Sequence, residues 1–403
     1  MEVYVARQPI FRKNKKILGY ELLFRNGISN AFPGIDGESA TSKVLSNSFL
    51  SIGIEEITAG APSFINFPEA FIVKKIPLMF SPKTLVVEIL EDVHPSAEVV
   101  TACGELSRRG YPLALDDFSY KPEYRALLPH ANIVKLDFRA LSKVGIRETI
   151  RDLKAFPVDL LAEKVETYDE FQSALEMGFS YFQGYFFSKP EVLSGKDISI
   201  PKMNLIQIMA EANKEDFEFE KLERVITRDL GMSYKLLRYV NSAFFRRRES
   251  ISSIRQAIAL LGERQIRQFV SLIAMSNLAQ EKPSELIRSS VIRAKFCELA
   301  GRLEGGKLDV DELFTLGLFS LIDAVMDDSM KTLMLKLPLA DEIKKALISG
   351  EGVLGDYLNL VTSYERADWK TAVLASSKLG LKEERLPRHF IEALSWANSL
   401  SDL

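Results

Sequence analysis

Six polar side chains lie within or directly after short apolar segments in the first half of the chain. They are Glu88, Asp116, Asp117, Lys135, Glu163 and Gln183. Apart from the two adjacent aspartates, successive members are separated by about the length of one strand–helix unit. A charge beside an apolar strand is costly unless it is paired or binds a metal. The set is therefore a candidate for one shared site, and the alternative is that each residue simply begins a surface loop.

These residue types favour the binding of a hard divalent cation. Carboxylate and amide oxygens suit Mg²⁺ or Mn²⁺, whereas zinc sites use His or Cys. The chain has only 3 histidines and 2 cysteines, which argues against a His-based metal site and against a Ser-His-Asp triad. Hard cations close to a lysine are typical of phosphoryl chemistry, in which a carboxylate accepts the proton of an activated water.

The elements that would position these side chains alternate between strands and helices. The apolar segments predict strands at Leu85–Leu90, Tyr111–Leu115, Asn132–Leu136, Asp159–Ala162 and Phe179–Phe187. The helical spacing between them predicts helices at Ala97–Arg109, Ile146–Ala155 and Tyr168–Met177. Alternation at this interval indicates a parallel sheet, either a (β/α) barrel or a doubly wound sheet. In both folds the carboxyl ends of the strands meet at one face, where ligands bind.

The second half of the chain has a different pattern. Residues 189–197 are rich in Pro, Gly and Ser and read as a linker. Beyond Pro201 the apolar residues follow helical spacing, for example at Leu236, Leu237 and Val240. We therefore expect two domains, an α/β domain at residues 1–197 and an all-α domain at residues 198–403.

Composition limits the function classes. Apolar residues make up 47% of the 403 residues and charged residues 27%, which is typical of a globular chain. The net charge of −3 argues against DNA as the main partner, because DNA-binding proteins are usually basic. No signal peptide and no membrane-spanning segment is evident. We therefore expect a cytoplasmic protein that has no membrane association and keeps both cysteines as buried thiols.

Several short motifs of the first half follow one another in an order that is found in one known family. They are Ala6–Phe11, Gly19–Arg25, Asn66, Glu88–Glu91, Asp116–Phe118, Lys135–Asp137, Ala162–Glu166 and Gln183–Tyr185. Over roughly residues 1–190 the chain resembles the EAL domain, the bacterial cyclic-di-GMP phosphodiesterase. The resemblance implies a TIM-like barrel, and a homodimer could form as in other EAL domains.

The resemblance also implies a ligand set for two Mg²⁺ or Mn²⁺ ions. The residues that would hold them are Glu21, Asn66, Glu88, Asp116, Asp117 and Glu163. Asp116 would be shared between the two ions, and Asp117 and Glu163 would belong to the second.

The remaining roles concern the dinucleotide and the water. Glu163 would accept the water proton, Lys135 would orient the water, and Gln183 would complete the catalytic site. Arg25 would grip a phosphate of the dinucleotide, and Glu166 would brace the loop after Asp117.

The residues around this site depart from the family. Leu22 replaces an alanine, Lys164 replaces a glycine, and Ser180 replaces an aspartate. A Gly-Thr-Gly segment is replaced by residues 119–121, Ser-Tyr-Lys. Because glycine allows backbone angles that other residues resist, these changes predict metal binding with weak or absent turnover.

The helical half resembles the HDOD domain, a non-catalytic relative of HD-type phosphohydrolases. The similar segments are Leu236–Ala243 and the residues around Leu261-Gly262. Ser320 and Leu321 stand where HD enzymes carry their His-Asp pair. The resemblance implies that this half is not catalytic and that it binds a signalling protein.

Three hypotheses follow for the whole chain. In the first, the barrel binds cyclic-di-GMP or a divalent metal with weak or no turnover, and the HDOD half transmits the state to a protein. In the second, the barrel is an active Mg²⁺- or Mn²⁺-dependent phosphodiesterase that produces pGpG. In the third, the protein is a scaffold without nucleotide affinity, and internal Lys–carboxylate pairs such as one made by Lys164 fill the barrel mouth.

Overall fold

The computed structural model describes residues 3–26, 53–189, 230–241, 253–279, 282–302, 308–337 and 339–400, and the single positions 205, 226 and 251. Contacts within the chain define two compact units. One contains Met1–Lys189 and Glu365–Ala367, and the other contains Pro190–Tyr364 and Asp368–Leu403. The predicted domain boundary between residues 197 and 198 lies outside the described residues and stays a prediction.

The first unit contains a closed barrel with the strand order β1 to β8. The strands are β1 Val3–Arg12, β2 Ile17–Asn26, β3 Ser63–Phe67, β4 Leu85–Ile89, β5 Leu113–Leu115, β6 Ile133–Asp137, β7 Asp159–Glu163 and β8 Tyr181–Gln183. The predicted parallel sheet is confirmed for β2 to β8. No strand was predicted at β1, which pairs antiparallel with both β2 and β8. A short turn joins β1 to β2, and such a turn can only join antiparallel strands.

Helices of this unit lie between the strands. The α-helices are Ile54–Thr58, Glu69–Val73, Ala97–Arg108, Lys143–Leu153 and Tyr168–Met177. The predicted helix Ile146–Ala155 begins three residues earlier, because the Ser142 hydroxyl accepts a hydrogen bond from the Gly145 amide and caps the first turn. The helix Tyr168–Met177 is confirmed, and Thr167 and Glu170 form a capping box at its start.

The predicted strand Phe179–Phe187 is wrong over most of its length. Only Tyr181–Gln183 forms a strand, and a short 3₁₀ helix follows at Phe186–Ser188. Gly184 has φ 144°, which ends the extended segment. Phe186 is fully buried and stacks on Phe171 at 4.7 Å between ring centroids. The aromatic residues of this segment therefore form core packing outside the strand.

The interior of the barrel has an apolar layer below a polar layer. The apolar layer contains Ile10, Phe64, Val86, Ala114, Ile133 and Leu161. Side chains two residues apart on a strand point to the same face. Residues two positions further along β3, β4, β5, β6 and β7 are Asn66, Glu88, Asp116, Lys135 and Glu163. The same alternation that fills the barrel with apolar side chains thus places the candidate site residues at the carboxyl ends of the strands.

The second unit is helical in its described residues, as predicted. Its helices are Leu230–Val240, Ile254–Leu278, Ser284–Gly301, Val310–Phe319, Ile322–Met326, Met330–Lys336, Asp341–Ser349, Gly352–Glu365, Trp369–Lys378 and Leu386–Ser399. Leu236 and Val240 are fully buried in a core with Phe269. None of the described helices is long and apolar enough to cross a membrane.

Ser320 lies directly after the helix Val310–Phe319 in this second unit. Its hydroxyl donates to the Gly317 carbonyl at 2.7 Å and accepts from the Arg293 guanidinium at 3.3 Å. Arg293 is buried. The Ser320 hydroxyl is therefore hydrogen-bonded within the protein on both its donor and its acceptor side.

Candidate active site

The ammonium group of Lys135 lies among four carboxylates from four other strands. Its Nζ atom is 2.7 Å from Glu88 Oε1, 2.7 Å from Asp116 Oδ1, 2.9 Å from Glu163 Oε1 and 3.4 Å from Glu21 Oε2. Lys135 and Glu88 are completely buried. We call these five residues the inner cluster. The structure thus brings together most of the charged residues that the sequence predicted to share a site.

Two amide side chains hold Glu21 in this cluster. Gln183 Nε2 donates to Glu21 Oε2 at 2.5 Å, and Asn66 Nδ2 donates to Glu21 Oε1 at 3.2 Å. Gln183 also donates to Gln8 Oε1 at 3.1 Å. Gln8 was not among the predicted site residues, although it lies inside the motif Ala6–Phe11. Its position opposite Glu21 in the β1–β2 pairing gives it access to the site, and the sequence carries no direct signal of that pairing.

Burial and mutual repulsion determine the protonation of the inner cluster. Burial raises the pKa of Glu88 well above its ordinary value, although Lys135 opposes the shift. Burial also raises the pKa of Glu163, to about 8. For Lys135, burial lowers the pKa, but the carboxylates of Glu21 and its neighbours outweigh this effect and raise it overall. The lysine therefore stays charged, while Glu88 and Glu163 hold a proton more readily than an ordinary carboxyl group does.

The oxygen atoms of the inner cluster and of the two amides beside it are of the chemical type that hard divalent cations prefer. Asn66 Oδ1, Glu88 Oε2 and Gln183 Oε1 are buried and accept no hydrogen bond from the described residues. Four carboxylates accompany one lysine, and both features suit a cation with oxygen ligands. Among the described residues, no group of three or more Asp, Glu, His or Cys side chains is placed so that it could hold a metal ion as it stands. The Lys135 ammonium takes the point on which the carboxylates converge.

Asp117 lies apart from the Lys135 contacts and pairs with Lys164. The Lys164 Nζ atom is 3.8 Å from Asp117 Oδ1 and 2.5 Å from Asp137 Oδ2. We call Asp117, Asp137 and Lys164 the outer cluster. Asp137 was not among the predicted site residues, although it ends β6 directly after the buried Leu136. The predicted role of Asp117 as a metal ligand stays a prediction.

Two further predicted site residues lie at the edge of this region or outside the described side chains. Glu166 accepts hydrogen bonds from Arg139 at 2.7 Å and from Lys189 at 3.4 Å. Arg25 lies on β2 opposite Tyr4, and its side chain is outside the described part of the structure. The loop-bracing role of Glu166 and the phosphate-binding role of Arg25 stay predictions.

Lys164 adopts a backbone conformation that favours glycine. Its φ is 56°, and φ of Asp117 is 37°. Both values lie in the left-handed region, which non-glycine residues rarely adopt. The resemblance described above implies a glycine at the position of Lys164, and a glycine would adopt this φ without strain. The chain therefore tolerates local strain where the lysine reaches the two aspartates.

Gly184 is required by the close approach of two backbone segments beside the site. Its φ is 144°, and a Cβ atom at this position would collide with the backbone carbonyl and amide of Val165. We expect Gly184→Ala to destabilise the barrel by about 3 kcal/mol, because strain and overpacking act together. Thermal denaturation measures this loss. Gly145→Ala is the matched control, since a Cβ there makes only ordinary contact. Equal stability of the two variants would contradict the prediction.

Both halves of the chain are similar to known protein domains. The sequence profile of the EAL domain matches residues 41–190, and that of the HDOD domain matches residues 199–337. The Vibrio cholerae protein named cyclic di-GMP phosphodiesterase CdgJ is 41% identical over 403 residues, which covers 99% of this chain and 93% of that protein. The Bacillus subtilis protein YuxH, whose name describes it as uncharacterized, is 37% identical over 412 residues and over the full length of both chains.

A solved EAL domain structure from Listeria monocytogenes matches the barrel at 22% identity with a TM-score of 0.39. The match covers 46% of this chain and 87% of that chain. The order of the two matched domains and the full-length similarity to the two relatives agree with the resemblance found in the motifs. The chain therefore belongs to the family of signalling proteins in which an EAL domain is followed by an HDOD domain.

Proposed function

We propose that the barrel binds cyclic di-GMP together with a divalent metal ion and hydrolyses it slowly, and that the HDOD half passes the bound state to a partner protein. One observation carries the proposal. The inner cluster gathers four carboxylates around one lysine and leaves buried amide and carboxylate oxygens without a hydrogen-bond donor. The name of the Vibrio cholerae relative supports cyclic di-GMP as the ligand.

The residues that would hold Mg²⁺ or Mn²⁺ are Glu21, Asn66, Glu88, Asp116 and Glu163. A bound ion would neutralise charge on the phosphodiester and would lower the pKa of a water. In the metal-free protein, carboxyl groups of the inner cluster hold protons, and they would release these protons when such an ion binds. Its carboxylates cannot all be ionised while they surround a single ammonium group, so each gains stability when a second positive charge enters.

Glu163 and Lys135 have complementary roles in this proposal. Burial raises the pKa of Glu163 to about 8, so its carboxyl can take up and release a proton near neutral pH. Lys135 remains protonated and forms ion pairs with the carboxylates of Glu88, Asp116 and Glu163. It would also donate a hydrogen bond to the attacking water. Gln183 orients Glu21 through its short hydrogen bond.

Slow turnover follows from the residues around the inner cluster. The resemblance implies Gly-Thr-Gly at residues 119–121, where this chain has Ser-Tyr-Lys. Tyr120 packs edge-on against Phe118, with ring centroids 6.5 Å apart. Because catalytic groups must be held to within about half an ångström, such a change lowers kcat more readily than it abolishes binding.

The second candidate is a phosphodiesterase with ordinary turnover, and the 41% identity to a relative of that name favours it. The scaffold hypothesis has less support. It predicts that internal ion pairs fill the barrel mouth, and Lys164 does pair with Asp137 and Asp117. The inner cluster, however, keeps surplus carboxylates and unpaired buried oxygens, which a purely structural site would not need.

Calorimetric titration of cyclic di-GMP into the full-length protein tests the proposal, once with Mn²⁺ and once with EDTA. We expect binding with Mn²⁺, much weaker binding with EDTA, and formation of pGpG with kcat below about 1 s⁻¹, at the low end of the enzyme range. Glu21→Gln should lose turnover, and the exposed Glu148→Gln serves as control. Turnover of about 10 s⁻¹ would establish the second candidate. No binding under either condition would leave the scaffold.

A further inference from the structure

We propose that Lys164 acts as a built-in counter-ion in the barrel mouth, so that the site takes one divalent cation in the inner cluster and no second one at Asp117. This inference rests on the proposed function in one respect, namely that the inner cluster binds a metal ion. It goes beyond that function because it assigns a metal stoichiometry and a role to a residue that otherwise marks only a departure from the family.

The two clusters differ in charge balance. The inner cluster has four carboxylates and one ammonium group, and it is almost fully buried. Glu88 is completely buried, and its Oε2 atom accepts no hydrogen bond from the described residues. The same is true of the amide oxygen of Gln183. These acceptors point to a missing positive charge. We therefore expect a divalent cation to bind more favourably in the inner cluster than in the outer cluster.

In the outer cluster, the positive and negative charges of the side chains are closer to balance. Two carboxylates share the Lys164 ammonium, at 2.5 Å and 3.8 Å. Asp137 is saturated further, since its Oδ1 atom accepts hydrogen bonds from the amides of Arg139 at 2.8 Å and Ala140 at 2.9 Å. Partial burial raises the pKa of Asp137, but the hydrogen bond from Lys164 and those from the two backbone amides together outweigh it and lower the pKa overall. A divalent cation at Asp117 would be repelled by the Lys164 ammonium, and only two carboxylates would offset this repulsion, against four around Lys135 in the inner cluster.

The position of the ammonium is fixed by three neighbouring strands. Asp117 follows β5 by two residues, Asp137 ends β6, and Lys164 directly follows β7. The left-handed φ of Asp117 and of Lys164 turns both residues at the strand ends. Fixing the lysine from both partners reduces its freedom to leave when an ion approaches. The strained backbone of Lys164 thus accompanies the placement of its ammonium group between Asp117 and Asp137.

The test is the number of Mn²⁺ ions that the nucleotide-free, full-length protein binds, measured by calorimetry and by electron paramagnetic resonance of free Mn²⁺. We expect one ion per chain for the wild type. We expect a second ion for Lys164→Gly, with at least about tenfold tighter binding at that step than in the wild type. Lys164→Arg keeps the charge and should bind one ion. Lys189→Met removes a neighbouring exposed charge that pairs only with Glu166 among the described residues, and should also bind one ion.

Several outcomes would overturn the inference. Two equivalent ions in the wild type would show that Lys164 does not exclude the second, and one ion in both Lys164→Gly and Lys164→Met would show that its charge is irrelevant. Lys164→Met is included because it retains side-chain length if the glycine variant unfolds. Cyclic di-GMP binding is measured separately, so a protein that binds one Mn²⁺ and no nucleotide would contradict the proposed function and leave this inference standing.

Discussion

Lys135→Met is expected to destabilise the metal-free barrel by about 3–5 kcal/mol, because it leaves buried carboxylates without their common counter-ion. For a domain of this size, the loss corresponds to a fall in Tm of about 6–20 °C. Thermal denaturation in EDTA measures it. The substitution retains the length of the side chain, so the effect reports the missing charge more than a missing volume. Added Mn²⁺ should restore part of the loss, since a divalent cation supplies positive charge at the same carboxylates.

The control for this variant is Lys83→Met, which removes an exposed lysine from the same domain. Its Tm should stay within about 1–2 °C of the wild type, because single exposed charges contribute little. If Lys135→Met were as stable in EDTA as this control, the ammonium group would not be the element that holds the inner cluster together.

Glu88→Gln is expected to affect binding and stability in opposite directions. The neutral amide lacks the charge that a divalent cation requires, so Mn²⁺ affinity should fall about 100-fold or more, beyond the 10–100-fold typical of residues that only support a ligand. The same change removes a buried carboxylate whose pKa is raised by burial. The metal-free barrel should therefore gain about 1 kcal/mol of stability, a trade-off common at functional sites.

Calorimetric Mn²⁺ titration and thermal denaturation in EDTA measure the two effects on one protein preparation. The exposed Glu148→Gln is the matched control and should change neither quantity. A Glu88→Gln variant that loses stability in EDTA and keeps its Mn²⁺ affinity would mean that Glu88 has a structural role in place of a ligand role.

Much of the barrel could be predicted from the sequence. Side chains two residues apart on a strand lie on the same face, so the pattern that fills the core also places the site residues. Phe64 and Asn66, or Val86 and Glu88, lie on the same face of one strand, so an apolar strand that ends in a polar residue predicts both layers. The helical half was predictable for a similar reason, since its apolar spacing has the helical period.

Other features depended on pairing in three dimensions. The sequence placed Lys135 beside the site but did not show that one ammonium group would contact four carboxylates, because the contacts join residues as distant as Glu21 and Glu163. The antiparallel orientation of β1 and the contact of Gln8 with Gln183 depend on closure of the barrel. The segment Phe179–Phe187 was overextended because aromatic residues favour strands as well as cores.

The pairing of β1 with β8 has a consequence for the order of folding during synthesis. Ile10 of the first strand pairs with Gln183 of the last, so the N-terminal hairpin emerges from the ribosome long before its second neighbour. At about 5–20 residues per second the delay is on the order of ten seconds. During that interval β1 is an open edge, and such an edge can pair with other chains. The candidate site is completed by the same late event, because Gln183 brings its hydrogen bond to Glu21 only when the final strand docks.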